Sequence, residues 1–103
     1  IQDKDHLNLK DQRTQIEKLY KSIFTDLPFV KISYESNFVS VIDTSKDNSD
    51  PPRVDIIEED IYIIDFWDGY SAGDRIKEKN LEKSLKYFKK FLKKLHKQIV
   101  RFY

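Results

Sequence analysis

The chain of 103 residues is long enough for one folded domain and too short for two. It contains no cysteine, which excludes disulfides, thiol catalysis and cysteine-ligated metal centres. The formal net charge of +1 excludes a uniformly basic or acidic protein, and the aromatic content of 14% excludes a disordered chain although 36% of the residues are charged.

The chain shows no segment that would place it in a membrane. No apolar run approaches the roughly 18 residues of a membrane-spanning helix, and no signal-like segment opens the chain. The absence of cysteine fits a reducing compartment. We therefore expect a soluble, cytoplasmic protein. The alternative is an exported form that has lost its leader, since the first residue is Ile1 and no methionine occurs.

The first predicted element is an amphipathic helix over residues 8–25. Its apolar residues recur at helical spacing with charges between them, and the pattern ends before Pro28, because the residue preceding a proline avoids the helical conformation. Residues 29–34 and 38–42 are rich in β-branched and aromatic side chains and predict two strands. The turn residues 35–37 between them predict a hairpin.

Residues 43–52 are turn-forming and charged, and they predict a solvated loop. Two further strands are predicted at residues 54–57 and 61–67, joined by a tight reversal of three acidic residues. One long strand across both is the alternative. The glycine-containing stretch 69–73 then interrupts the pattern, and Asp74 is predicted to cap the N-terminus of a helix.

The C-terminal element has the clearest pattern. Apolar residues alternate there at spacings of four and three, which predicts a long amphipathic helix with lysines on its other faces. The stripe consists of Leu81, Leu85, Phe88, Leu92, Leu95, Ile99 and Phe102. The predicted fold is thus α+β, a single domain of residues 1–103. It has an N-terminal helix, a three- to four-stranded antiparallel sheet and the long C-terminal helix, with both helices on one face of the sheet.

Charge is distributed unevenly along the chain. Residues 1–42 are neutral, with six acidic and six basic residues. Residues 43–74 contain ten acidic and two basic residues, a net charge of −8. Residues 75–103 contain eleven basic and two acidic residues, a net charge of +9. The acidic segment and the basic helix are therefore separate candidates for binding surfaces.

The acidic segment also contains an aromatic motif, DFWDGY, at residues 65–70. Partly exposed Trp and Tyr side chains are typical of interfaces. Dense carboxylates can instead bind a divalent cation, serve acid–base catalysis or form a solvated strand edge, although their spacing does not match a calcium loop. The candidate partner-binding residues are Asp55, Glu58, Glu59, Asp60, Tyr62, Asp65, Trp67, Asp68 and Tyr70.

Strand alternation in this segment predicts a two-sided apolar strand. Ile64 and Phe66 fall on one face, and Ile63 and Trp67 fall on the other. Both faces are thus partly apolar, which predicts either coverage on both sides or an exposed apolar patch.

The lysine-rich helix has three candidate roles. It can follow a phosphate backbone, associate with a second copy, or simply present a solvated outer face. Arginines that would read base edges are scarce, with only Arg75 and Arg101 in this part of the chain. His6 and His96 are isolated, and no Ser–His–Asp order, phosphate loop or paired-histidine motif is present. We predict no catalytic residue, cofactor or metal.

The leading hypothesis is a small protein-binding module, specifically an inhibitor of the immunity or antitoxin type that neutralises a basic partner such as a toxin nuclease. Opposite charge would speed association with such a partner. The alternatives are a nucleic-acid-binding protein that uses the C-terminal helix and a metal-dependent enzyme built on the acidic strands. The oligomeric state is expected to be a monomer or a homodimer through the C-terminal helix. The leading hypothesis requires the carboxylates to gather on one outward-facing surface beside Trp67 and Tyr70, away from the lysines.

Overall fold

A computed structural model describes residues 9–45, 47 and 49–102 of the chain, and only the backbone at Phe102. The fold within this range is α+β, as predicted, with both helices and an antiparallel sheet. Helix α1 spans Arg13–Phe24 after a short 3-10 turn, Leu9–Gln12, and helix α2 spans Leu81–Phe102. The strands are β1 (Val30–Tyr34), β2 (Phe38–Asp43), β3 (Arg53–Glu58), β4 (Tyr62–Trp67) and β5 (Gly73–Glu78).

The sheet is a meander in which each strand pairs with its neighbour in the sequence, in the order β1-β2-β3-β4-β5. The predicted hairpins β1–β2 and β3–β4 are confirmed as antiparallel pairs. A hydrogen bond from the amide of Glu59 to the carbonyl oxygen of Ile61, at 3.0 Å, closes the reversal between β3 and β4. The alternative of one long strand across this region is therefore wrong. Three parts of the sequence predictions lie outside the described residues. They are residue 8 at the start of the predicted first helix, His6, and the side chain of Phe102 in the apolar stripe.

The sheet has a fifth strand where the sequence predicts the start of a helix. β5 pairs with β4 along its whole length, and Asp74 lies opposite Phe66 instead of capping a helix. The Asp74 carboxylate accepts a hydrogen bond from Nζ of Lys94 at 2.5 Å. β5 is an edge strand whose sequence, GDRIKE, contains one apolar residue, so it lacks the alternation that predicts a strand. The predicted three to four strands are therefore one or two short of the observed five.

Helix α2 begins at Leu81, and Asn80 caps its N-terminus. The Asn80 Oδ1 accepts a hydrogen bond from the amide of Lys83 at 2.8 Å, which satisfies one of the amides that a helix leaves free at this end. The predicted apolar stripe is confirmed as the buried face of the helix, with exposures of 0–1% at Phe88, Leu92, Leu95 and Ile99. Because these residues of the stripe pack in the core, the predicted homodimer through this helix would have to use its exposed face.

Both helices lie on one face of the sheet, as predicted. α2 packs on β3, β4 and β5. α1 lies beside α2 and is tied to β1, where the Tyr20 hydroxyl donates to the carbonyl oxygen of Val30 at 2.6 Å. The sheet side of the core consists of Val30, Val39, Val41, Val54, Ile56, Ile64 and Phe66. No helix in the described part of the chain is long and apolar enough to cross a membrane.

Candidate functional site

The face of the sheet that points away from both helices presents its side chains in three rows across the strands. Residues that lie directly opposite each other in an antiparallel pair project to the same face, so the strand register defines the rows. The first row is Lys31, Ile42, Arg53, Trp67 and Gly73. The second row is Ser33, Ser40, Asp55, Asp65 and Arg75. The third row is Phe38, Ile57, Ile63 and Lys77. We call these residues the open face.

Five apolar side chains of the open face are partly exposed. They are Phe38, Ile42, Ile57, Ile63 and Trp67. None of the five packs against the core that the described residues form. An antiparallel sheet that faces water on one side usually carries polar residues there, and clustered exposed apolar side chains commonly mark a binding surface. The open face is therefore the candidate functional site.

Each carboxylate in the middle row is paired with an arginine, Asp65 with Arg75 of the same row and Asp55 with Arg53 of the first row. Asp55 and Asp65 lie directly opposite each other in β3 and β4, an arrangement in which two carboxylates repel. Arg75 offsets this repulsion by donating two hydrogen bonds to Asp65, from Nε at 2.7 Å and from Nη2 at 3.0 Å. Asp55 accepts from the Ser40 hydroxyl at 2.5 Å and from Nε of Arg53 at 3.4 Å. The hydrogen bonds to Asp65 raise the pKa of Arg75, so its guanidinium group remains charged.

The indole ring of Trp67 is held in a fixed orientation at the end of the first row. Its Nε1–H donates to the carbonyl oxygen of Asp50, in the β2–β3 loop, at 3.1 Å. Opposite Trp67 in β5 lies Gly73, where an added Cβ would stand 3.4 Å from the indole Cε3, so the ring lies over the backbone of the edge strand. An open cavity of about 310 Å³ adjoins the ring, and Asp55, Asp65 and Arg75 are among its lining residues. Oriented aromatic side chains of this kind are typical binding hot spots.

The loop between β4 and β5 is organised by the carboxylate of Asp68. One of its oxygens accepts hydrogen bonds from the amides of Tyr70 at 2.7 Å, Ser71 at 3.0 Å and Ala72 at 3.2 Å. These bonds, the one from Tyr70 first, lower the pKa of Asp68, because they stabilise its charged form. Gly69 has a φ of +90°, which a side chain would strain. In the resulting loop, which follows the end of β4, the side chain of Tyr70 is 73% exposed.

We expect Asp68→Ala to loosen this loop without unfolding the domain. The variant removes the acceptor for the amides of Tyr70, Ser71 and Ala72, so these amides should exchange with solvent faster, as measured by NMR. The urea midpoint should change little because the loop lies outside the core. In the wild-type protein the same loosening is expected as the pH falls through the lowered pKa of Asp68, since stability from a depressed pKa is lost toward acid. Asp68→Asn keeps an acceptor oxygen and should have a smaller effect. Unchanged exchange at all three amides in Asp68→Ala would contradict this interpretation of the loop.

Glu58 and Tyr62 lie opposite each other on the helix-covered face of the sheet. The Tyr62 hydroxyl donates to Glu58 at 3.3 Å, and the Glu58 carboxylate also accepts from the amide of Leu9 at 3.4 Å. Burial raises the pKa of Tyr62. These contacts tie the 3-10 turn to the end of the sheet, so both residues have a structural role in the fold.

The predicted partner-binding residues therefore do not share one surface, and the expectation of a single acidic surface is wrong. On the open face are Asp55, Asp65 and Trp67. On the helix-covered face are Glu58 and Tyr62. In the exposed turn between β3 and β4 are Glu59 and Asp60, and in the loop at the opposite end of β4 are Asp68 and Tyr70. The physical reason is that side chains alternate between faces along a strand, while successive turns of a meander lie at opposite ends of the sheet.

Sequence reasoning missed three apolar residues of the open face, namely Phe38, Ile42 and Ile57, and it placed Ile63 on the same face as Trp67 without including it among the binding residues. The signal that predicts them is the one recognised in β4, where Ile64 and Phe66 face the core and Trp67 faces outward. The same two-sided apolar pattern is present in β2 and β3. The common position of these residues depends on strand register, which the sequence pattern does not give.

Neither a metal site nor a known relative indicates the function of the open face. In the described part of the chain, no three histidine, aspartate or glutamate side chains come close enough to hold a metal ion together. No protein-family model, curated protein or solved structure matches this chain. The chemistry of the open face itself therefore carries the functional inference.

Proposed function

We propose that this protein is a binding module that docks a different, folded protein on the open face. The observation that carries the proposal is the set of five partly exposed apolar side chains on a sheet face that neither helix covers. They lie in two rows on either side of the charged middle row. Because Asp65 and Arg75 already pair within the sheet, a docked surface can cover them without leaving an unpaired charge buried. Apolar contacts among internally satisfied polar groups are typical of stable protein interfaces.

The pattern of charge favours a different protein over a second copy of this chain. A dimer formed face to face is usually related by a two-fold axis, which places the same residue of both copies near that axis. Asp55 lies in the central strand of the sheet, so such an axis through the middle of the open face would bring together the Asp55 carboxylates of the two copies. Arg53 pairs with Asp55 within each copy and reduces this repulsion, but the second copy brings no new opposite charge to the two carboxylates. A partner with its own complementary surface avoids this repulsion.

An inhibitor of the immunity or antitoxin type that neutralises a basic toxin nuclease is the specific form of this proposal. The single acidic surface that the sequence-based hypothesis required is not formed, so this form now depends on the open face and on two carboxylates beside it. Such an inhibitor needs a docking surface and no catalytic group. Its electrostatic support comes from Glu59 and Asp60, which are exposed in the turn between β3 and β4 and belong to none of the ion pairs among the described residues, although the charge of Glu59 also acts on Arg75. Carboxylates at the border of an apolar surface would attract a basic rim and speed association.

Site-specific photo-crosslinking tests the proposal. A benzophenone amino acid is introduced at Ile63 on the open face or, as a control, at Lys86 on the exposed face of α2, and each variant is irradiated in its native host. We expect the variant at Ile63 to form an adduct with one distinct protein, identified by mass spectrometry, and the variant at Lys86 to lack that adduct. The purified partner should then bind the wild-type domain directly.

The outcomes separate the parts of the proposal. An adduct between two copies of this chain, or the same adduct from both positions, would contradict docking of a different protein on the open face. A partner that docks at Ile63 but is acidic would refute the form in which the domain neutralises a basic toxin, while leaving the docking face itself supported.

A further inference from the structure

The exposed face of α2 carries lysines that have no carboxylate partner in the described part of the chain. They are Lys83, Lys86, Lys89, Lys90, Lys93 and Lys97. The remaining lysine of this helix, Lys94, pairs with Asp74. A helix surface with this much uncompensated positive charge attracts anions.

Four of these lysines form a straight line along the helix. Lys86, Lys90, Lys93 and Lys97 follow one another at spacings of four, three and four residues, which keeps them on one side of α2. At a rise of about 1.5 Å per residue, the line is about 16 Å long. Since one lysine neutralises one phosphate, the line can make up to four contacts with a phosphate backbone. We call these four residues the lysine line.

A cleft between α2 and β5 lies beside the lysine line, and Lys90, Lys93 and Lys97 belong to both. The cleft has a volume of about 600 Å³, and its base is formed by Ile76 and Phe91. Its cationic lining residues are Arg75, Lys90, Lys93, Lys94 and Lys97. The single carboxylate that lines it, Asp74, is already bound to Lys94. Arg75 is likewise paired, with Asp65, so the excess positive charge of the cleft comes from Lys90, Lys93 and Lys97.

The sheet separates this basic surface from the aspartates of the open face. α2 packs on one face of the sheet, whereas Asp55 and Asp65 project from the other and are paired with arginines. In the sequence, the acidic segment of residues 43–74 precedes the basic helix, where its charge would repel phosphates. In the fold, each of these carboxylates is paired with an arginine, Asp55 with Arg53 and Asp65 with Arg75. This pairing offsets much of their repulsion of a phosphate at the lysine line.

We infer that the lysine line and the cleft bind the phosphate backbone of a nucleic acid without reading its sequence. Lysine ammonium groups act as point charges toward phosphate, and the aromatic residue of the cleft, Phe91, is only 5% exposed and so cannot stack on bases. An anionic membrane fits less well, because a helix that lies on a membrane inserts its apolar face into the lipid. That face of α2 is occupied, since Phe88 and Leu92 are 0% exposed in the core.

Fluorescence anisotropy with short, labelled oligonucleotides tests this inference. The probes are single-stranded and duplex DNA and duplex RNA of unrelated sequences. We expect binding at about 50 mM salt that is similar for unrelated sequences and falls steeply as salt increases, with a log–log slope of about −4 on duplex DNA for about four phosphate contacts.

Matched charge variants locate the binding surface. Lys93→Gln combined with Lys97→Gln should reduce the steepness of the salt dependence by about two and weaken binding at about 100 mM salt by at least about tenfold. Lys31→Gln combined with Lys77→Gln removes the same charge from the open face and should leave binding unchanged. Equal losses in the two double variants would overturn the inference. So would a lack of binding at low salt, or tighter binding to phosphatidylserine vesicles than to any of the nucleic acids.

Discussion

Ile64→Ala is expected to lower the free energy of unfolding by about 2–5 kcal/mol, whereas Ile63→Ala should lower it by less than about 1 kcal/mol. The two residues are adjacent in β4 and have the same side chain. The main difference between them is that they project from opposite faces of the sheet. Ile64 is 0% exposed in the core, and its truncation leaves a cavity beneath α2. Ile63 is partly exposed on the open face and has no contact with the core. Urea unfolding of both variants measures the difference.

The neighbouring strand provides an independent repeat of this comparison. Ile56 is 0% exposed in the core and Ile57 lies on the open face, so Ile56→Ala should cost several times as much as Ile57→Ala. The loss at a core position is a large fraction of the roughly 5–15 kcal/mol that stabilises a domain of this size. If Ile63→Ala and Ile57→Ala were as costly as the core variants, the open face would be covered in solution, and the proposed docking surface would be wrong. If their cost depended on protein concentration, the cover would be a second copy.

The elements that the sequence predicts well are those whose apolar pattern has a single period. In α2 the spacing of Phe88, Leu92 and Leu95 matches one helix face, so both the element and its buried side follow from the sequence. β5 was missed because its only apolar residue, Ile76, gives no alternation to detect. Edge strands of this kind are held by hydrogen bonds to one neighbour and need little burial of their own.

The candidate site was less predictable because it depends on which residues of different strands lie opposite each other. Alternation within β4 correctly separates Trp67 from the core. The position of Asp65 beside Arg75 depends on the pairing of β4 with β5, a strand that the sequence pattern does not indicate. Charge that is contiguous in the sequence is also divided in space, since Glu58 lies on the covered face and Glu59 in the turn. The net charge of a segment therefore does not predict the charge of a surface.

Trp67→Ala is expected to weaken binding of the protein docked on the open face by about 2 kcal/mol or more, roughly 30-fold. The hydrogen bond from Nε1 to the Asp50 carbonyl oxygen and the support of the ring by Gly73 fix the indole before the partner arrives. Because little side-chain entropy is then lost on binding, the buried area of the ring contributes fully to affinity. Trp67→Phe retains an aromatic ring but loses the hydrogen bond that orients it, so its effect should lie between those of the wild type and alanine. Titration calorimetry with the crosslinked partner, once purified, measures all three affinities.

The matched control is Val100→Ala in α2, which truncates another exposed apolar side chain, 55% exposed, in the helix layer on the other side of the sheet. Its affinity for the partner should equal that of the wild type. Circular dichroism and urea unfolding should show that the Trp67 variants remain folded, because Trp67 is not part of the core. If Trp67→Ala bound the partner with wild-type affinity, the indole would not be an anchor of the interface. Equal weakening by Val100→Ala would show that the partner does not dock specifically on the open face, because these two side chains lie in different layers of the fold.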